Sequence, residues 1–228
     1  MAKISAGSYD LNKWLYGGYE SDIITVLYGG AGTGKTNFCL LAAVSQAKKG
    51  KKVIFIDTEG GFSIERIKQM AKEESDEVLE NILVLKSTNF SEQKKAFEEL
   101  LKYLKDEVSL IVVDSMTILY RLDFAAAREK SELEIQKINS ELARQMKILA
   151  EIARKREIPV VVTNQVYKWE NSDNMVGGDI LKYWGKCLIE LVNDNGRRTA
   201  YLRKHRHLPE KSLSFQINNE GVRKRGWI

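Results

Sequence analysis

The chain has 228 residues, 43% hydrophobic and 29% charged, which suits one well-packed domain and excludes a disordered chain. Its formal charge is +5, from 36 Lys and Arg against 31 Asp and Glu, and no apolar run approaches the roughly 20 residues of a membrane span. The N-terminal MAKISAGSYD lacks a secretory core, and Cys39 and Cys187 read as buried reduced thiols, so a cytoplasmic protein is expected.

The first predicted strand is IITVLY, residues 23–28, and it runs directly into GGAGTGKT, residues 29–36. A helix is predicted from 36 to 48. The intervening residues Gly29, Gly30, Ala31, Gly32, Thr33, Gly34, Lys35 and Thr36 fit G-x-x-x-x-G-K-[ST]. Glycines let the backbone wrap so that its N–H groups face phosphate oxygens, and a helix N-terminus adds positive potential. Lys35 is then placed to neutralise the β- and γ-phosphates of ATP, and the Thr36 hydroxyl to ligate Mg²⁺.

The next strand, KVIFID at 52–57, leads into TEGGF. Glu59 lies just past it, at the carboxyl edge where ligands bind in open parallel sheets. It is a candidate to polarise the water attacking the γ-phosphate, with a solvent-facing loop acid as the plainer alternative. A helix over 63–74, a strand ILVLK at 82–86 and a helix over 91–105 follow. The strand SLIVVD, 109–114, ends in Asp114, a candidate to hold Mg²⁺ through water. Apolar residues Leu142, Met146, Leu149 and Ile152 mark a helix over 131–156. The strand IPVVVTNQV, 158–166, carries Gln165 near its end, where packing explains an amide poorly; it is a candidate ligand of the γ-phosphate or its water. The polar segment 167–179 is expected to be a loop.

Beyond residue 186 the pattern changes. KCLIELV and RTAYLRK flank NDNG, a hairpin signal, and LSFQI and GVRKRGWI extend it. Strands apolar on both faces that alternate with helices predict an α/β fold. Its central sheet is mostly parallel with helices on both faces, and carries a C-terminal antiparallel hairpin extension. One domain over 1–228 is expected. From Arg197 onward nine Lys or Arg face only Glu210 and Glu220, a balance that attracts a phosphate backbone. The H-x-H pair, His205 and His207, is set aside as a metal site because no third ligand lies near it in sequence.

The ordered set GGAGTGKT, IDTEGGFSIERI, SLIVVDS, VVVTNQV, GGDILKYWGKCLIEL and HLPE resembles the RecA-type recombinase core, in its archaeal RadA and RadB branch, over nearly the whole chain. The resemblance implies a RecA-like P-loop ATPase core that uses ATP and Mg²⁺. Glu59 would be its catalytic carboxylate and Gln165 the residue coupling nucleotide state to a DNA-binding loop. It also implies that segments 121–131 and 167–180 face DNA, which makes Arg121 and Lys168 candidate contacts. Strand-exchange members carry an N-terminal DNA-binding domain and a polymerisation linker, neither expected here. They also have a Gly-Arg pair, missing from YRLDFAAAREKSELEIQ, and an Asp three residues before HLP, where this chain has Lys204.

These departures are similar to the short RadB group. That resemblance implies binding of ATP and of single- and double-stranded DNA, feeble hydrolysis, no independent strand exchange and limited self-association. The implied role is accessory to a RadA-type recombinase, with a branched-DNA nuclease as a further partner. Arg203, Lys204, His205 and Arg206 are expected to contact phosphate, of DNA rather than of a neighbour's ATP, with a solvated turn as the alternative. A filament-forming recombinase and a P-loop ATPase or kinase of another class are the competing readings.

Overall fold

A computed structural model describes residues 2–169 and 172–226, with residues 168, 169, 172 and 173 described by their backbone alone. The chain opens with β1 (Lys3–Ile4), α1 (Tyr9–Trp14) and β2 (Tyr19–Glu20), the two short strands pairing with each other. The alternating core follows as β3 (Ile24–Gly29), α2 (Lys35–Ala47), β4 (Lys52–Asp57), α3 (Ile64–Ala71), α4 (Ser75–Glu80), β5 (Ile82–Lys86), α5 (Phe90–Tyr103) and β6 (Val108–Asp114). Next come α6 (Ile118–Arg128), α7 (Glu132–Arg156), β7 (Val160–Trp169), β8 (Ser172–Met175) and α8 (Gly178–Trp184). The chain closes with β9 (Gly185–Asp194), β10 (Arg197–Lys204), β11 (Lys211–Asn218) and β12 (Gly221–Lys224).

The main sheet runs β12-β11-β10-β9-β3-β7-β6-β4-β5. Strands β9 through β5 are parallel, and β10, β11 and β12 add antiparallel at one edge. Successive strand residues point to opposite faces, so an unbroken apolar run supplies two cores. Val53, Phe55, Leu110, Val112 and Val161 pack beneath α1 to α4. Their neighbours Ile54, Ile56, Ile111, Val113 and Val162 pack beneath α5 to α8. Burying each such side chain contributes about 1.5–3 kcal/mol. A polar substitution at any of them would leave one core with an unpaired group.

Local chemistry sets the element ends. Ser63, Asn89 and Ser131 cap α3, α5 and α7, each accepting a backbone N–H three residues on. At the β9–β10 turn, Asn195 and Gly196 both take positive φ, 47° and 84°, the two-residue hairpin that Asn-Gly favours. Two expectations need correction. Segment 121–131, a DNA-facing loop in the family it resembles, is here mostly helix α6 (Ile118–Arg128), with Leu119, Tyr120 and Ala127 buried. Nor are the described residues of segment 167–179 all loop: β7 extends to Trp169 and pairs antiparallel with β8, Val166 with Met175 and Tyr167 with Asn174, before α8 begins. Backbone pairing does not depend on side-chain polarity, so the polar composition gave no strand signal. Among the described residues, no helix is long and apolar enough to cross a membrane.

Candidate nucleotide-binding site

The parallel register brings the carboxyl ends of four strands into one row. Gly29 pairs with Gln165 and Asp57 with Asp114, while β6 and β7 are themselves adjacent. Every motif residue singled out around the phosphate loop therefore sits on the same sheet edge.

The loop between β3 and α2 depends on its glycines. Gly29 has φ 153°, and a Cβ there would lie 2.1 Å from the Leu191 carbonyl oxygen of β9. Gly34, with φ 108°, forms the left-handed N-cap of α2. The Thr33 hydroxyl donates to the Gly30 carbonyl at 2.9 Å, and Ala31 and Gly32 form the exposed crest. Lys35 is buried, and its Nζ donates to the carbonyls of Gly29 and Gly30, both at 2.9 Å. Burial lowers its pKa, opposed by the charges of Glu59 and Asp114. The ammonium is thus held against its own loop, beside the unpaired N–H groups of the first turn of α2.

Asp114 is buried at the end of β6. Its Oδ1 accepts from the Thr163 hydroxyl at 2.6 Å, while Oδ2 has no hydrogen-bond partner among the described residues. That oxygen and the Thr36 hydroxyl lie side by side at Gly61, 3.3 and 3.4 Å from where a Cβ would stand. Burial raises the Asp114 pKa, the hydroxyls of Thr163 and Thr36 oppose that rise, and Glu59 and Asp57 add to it. An orphaned buried carboxylate oxygen beside a hydroxyl is an oxygen donor set of the kind Mg²⁺ takes, so Thr36 and Asp114 fit the ion.

Glu59 and Gln165 meet directly. Gln165 Nε2 donates to Glu59 Oε1 at 2.8 Å, and Gln165 O accepts from the Val176 amide at 3.1 Å. The Glu59 loop is shaped by Asp57, whose Oδ1 accepts from the amides of Gly60 and Gly61 at 2.9 and 3.1 Å and whose Oδ2 accepts from Phe62 at 3.1 Å. Thr58 ties the same loop to β6, its hydroxyl donating to the Ser115 carbonyl at 2.7 Å. Asp57, Thr58 and Thr163 escaped the sequence reading. A buried Asp at a strand end before Gly-Gly was the available signal for the first.

The candidate DNA contacts fall elsewhere. Arg121 is exposed on α6. Lys168 lies in the β7–β8 hairpin, its side chain outside the described part of the structure. The Arg203–Arg206 cluster is not a set of solvated cations. Arg203 Nε donates to Glu190 at 2.7 Å, and its guanidinium lies 4.5 Å from the Tyr201 ring centroid. Lys204 Nζ donates to the carbonyls of Lys182 and Gly185 at the end of α8, at 2.9 and 3.0 Å. Arg206 bridges Glu20, at 2.7 Å, and Asp22. The His205 side chain is buried, and burial lowers its pKa against the pull of Glu20. Because Asp22 precedes β3 and Gly185 pairs with Ile24 at its start, Lys204, His205 and Arg206 lie at the end of the sheet opposite the phosphate loop, whereas Arg203 reaches Glu190, which pairs with Tyr28 next to Gly29.

The Rad51 family profile matches residues 1–225 of the chain. A curated relative from Methanocaldococcus jannaschii, "DNA repair and recombination protein RadB", is 41% identical over 212 residues, covering 93% of this chain and 98% of its own. A protein of the same name from Methanobrevibacter smithii is 40% identical over 223 residues, covering 93% and 92%. Among solved structures, "Crystal structure of the RadB recombinase" superposes with a TM-score of 0.81 at 32% identity, over 98% of this chain and 100% of that one.

Proposed function

Because the chain belongs to the Rad51 family, as a RadB-like member with a RecA-like core, we propose that it is an ATP-binding, DNA-binding accessory protein of homologous recombination and repair. It hydrolyses ATP weakly, performs no strand exchange alone and assists a RadA-type recombinase. The Glu59–Gln165 hydrogen bond at the mouth of the phosphate loop carries this reading. It joins the candidate catalytic carboxylate to the strand that becomes the β7–β8 hairpin.

ATP phosphates would displace the Gly29 and Gly30 carbonyls as partners of Lys35. Thr36 and Asp114 would hold Mg²⁺, which when bound neutralises charge on the β- and γ-phosphates. Glu59 orients the attacking water and accepts its proton. Gln165 positions Glu59 or, once a γ-phosphate offers an acceptor, turns to it and passes that change to the hairpin. Arg121 and Lys168 supply cations toward DNA from α6 and the hairpin. Two features support an accessory role. Lys204, standing where strand-exchange enzymes have an Asp, is spent on the end of α8. The segment 121–131 lacks their Gly-Arg pair.

A turnover assay with and without single-stranded DNA, paired with capture of a RadA-type recombinase, tests the reading. The expected results are ATP turnover below about 1 s⁻¹, the low end for enzymes, and salt-sensitive capture of the recombinase. Efficient strand exchange by the chain alone would overturn it.

A further inference from the structure

The chain's two histidines, which sequence alone leaves without a third ligand, acquire one in the fold. Glu20, on β2, brings Oε1 to 3.7 Å from His205 Nε2 and 3.2 Å from His207 Nε2. One ligand atom from each of the three lies within 4.8 Å of the others. We propose that Glu20, His205 and His207 form a site for a late first-row divalent cation, Zn²⁺, on the edge of the sheet opposite the phosphate loop.

Two of the three ligand separations match coordination, and the third, between the two histidines, lies within 4.8 Å. Ligand atoms about 2.0–2.1 Å from a tetrahedral Zn²⁺ stand roughly 3.3 Å from one another, and the two measured separations bracket that value. The Glu20 side chain is 1% exposed, and Oε1 has no hydrogen-bond partner among the described residues although its sister Oε2 accepts from Arg206 at 2.7 Å. A buried carboxylate oxygen without a hydrogen bond is costly unless a ligand completes it. Two imidazole nitrogens and one carboxylate oxygen suit Zn²⁺ rather than Mg²⁺ or Ca²⁺. With His207 45% exposed, water can reach the fourth position.

Nearby cations are otherwise engaged. Arg206 is shared with Asp22, and Lys3, 3.8 Å from Oε1, donates to the carbonyls of Leu15 and Tyr16. Ligation through His205 Nε2 puts its proton on Nδ1 and gives up a long 3.4 Å contact from the His207 amide, a weak bond to lose. The bound ion would clip β2 to the β10–β11 turn, two segments with no strand pairing between them.

The test titrates tag-free, nucleotide-free protein with Co²⁺, whose visible ligand-field bands report tetrahedral coordination, in excess Mg²⁺ to fill oxygen sites. One equivalent should bind with those bands, without thiolate charge-transfer absorption, and Zn²⁺ should displace it. His207→Ala, at a half-exposed position, should weaken binding at least about tenfold, since even outer-shell losses cost that much. Absence of saturable binding, thiolate bands, or a loss in His207→Ala smaller than tenfold would each overturn the site. Circular dichroism of the metal-free variant confirms that it is folded.

Discussion

Gln165 Nε2 donates to Glu59 Oε1 across 2.8 Å, joining residues 106 positions apart in sequence. The pair links the end of β7 to the loop after β4, and Gln165 pairs with Gly29 at the start of the phosphate loop; the proposed function puts the γ-phosphate beside it. Glu59→Gln should therefore remove a general base while keeping its shape. Steady-state ATP turnover should fall by at least about 100-fold, with nucleotide affinity changed by no more than a few-fold in an equilibrium binding assay. Unchanged turnover would dismiss Glu59 as the base.

Lys35 is buried and satisfied by two loop carbonyls. Lys35→Ala removes the charge meant for the phosphates, and truncating one member of a buried charged pair costs roughly 2–5 kcal/mol. ATP affinity should drop about 30-fold or more by that measure. Calorimetric titration with ATP and Mg²⁺ checks it.

Asp114 carries a charge that its surroundings disfavour, because burial raises its pKa above the unfolded value. The folded state then holds the proton more tightly than the unfolded chain. The penalty is absent below the unfolded carboxylate pKa and complete above the raised native one, so it persists at neutral pH. Asp114→Asn should raise the melting temperature of the nucleotide-free protein near pH 7. The gain should shrink toward pH 4, while Mg²⁺-dependent ATP binding weakens. Melting curves across that range, with equal stability of both proteins at pH 7 as the adverse outcome, decide the point.

Arg206 serves the fold. Its partners are a Glu20 carboxylate 1% exposed and Asp22, whose pKa the Arg206 hydrogen bond lowers. Removing one partner of a buried pair costs about 3–5 kcal/mol, and the part-exposed guanidinium reduces this to about 1–3 kcal/mol. Arg206→Ala should lose that much in urea unfolding, and its DNA-binding salt slope should match the parent's.

The proposed function places DNA contacts on α6 and the β7–β8 hairpin. Each phosphate neutralised on a single strand contributes about 0.7 to the slope of log affinity against log salt. The double variant Arg121→Ala, Lys168→Ala should lower that slope by about 1.4 while leaving nucleotide binding intact. Fluorescence anisotropy over a salt series measures it.

Sequence by itself determined whatever depends on neighbours along the chain. GGAGTGKT between a strand and a helix defines the phosphate loop, since glycine spacing and a helix start are local properties. Unbroken apolar runs foretold a parallel sheet covered on both faces, because each run must feed two cores. Asn195-Gly196 fixed the hairpin. The helix at 118–128 and the strands around 170 were missed, the first for its mixed composition and the second because polar residues hide a backbone-paired hairpin.

Tertiary structure alone decided which distant groups meet. Parallel pairing set Gln165 beside Gly29 and so within reach of Glu59. The fold gave Arg206 to Glu20, 186 residues away, an ion pair that no spacing in the sequence shows. The same approach supplied His205 and His207 with the carboxylate their sequence neighbourhood lacks. Charge and hydrogen bonding act over a few ångströms of space, and only the folded sheet edge sets those distances.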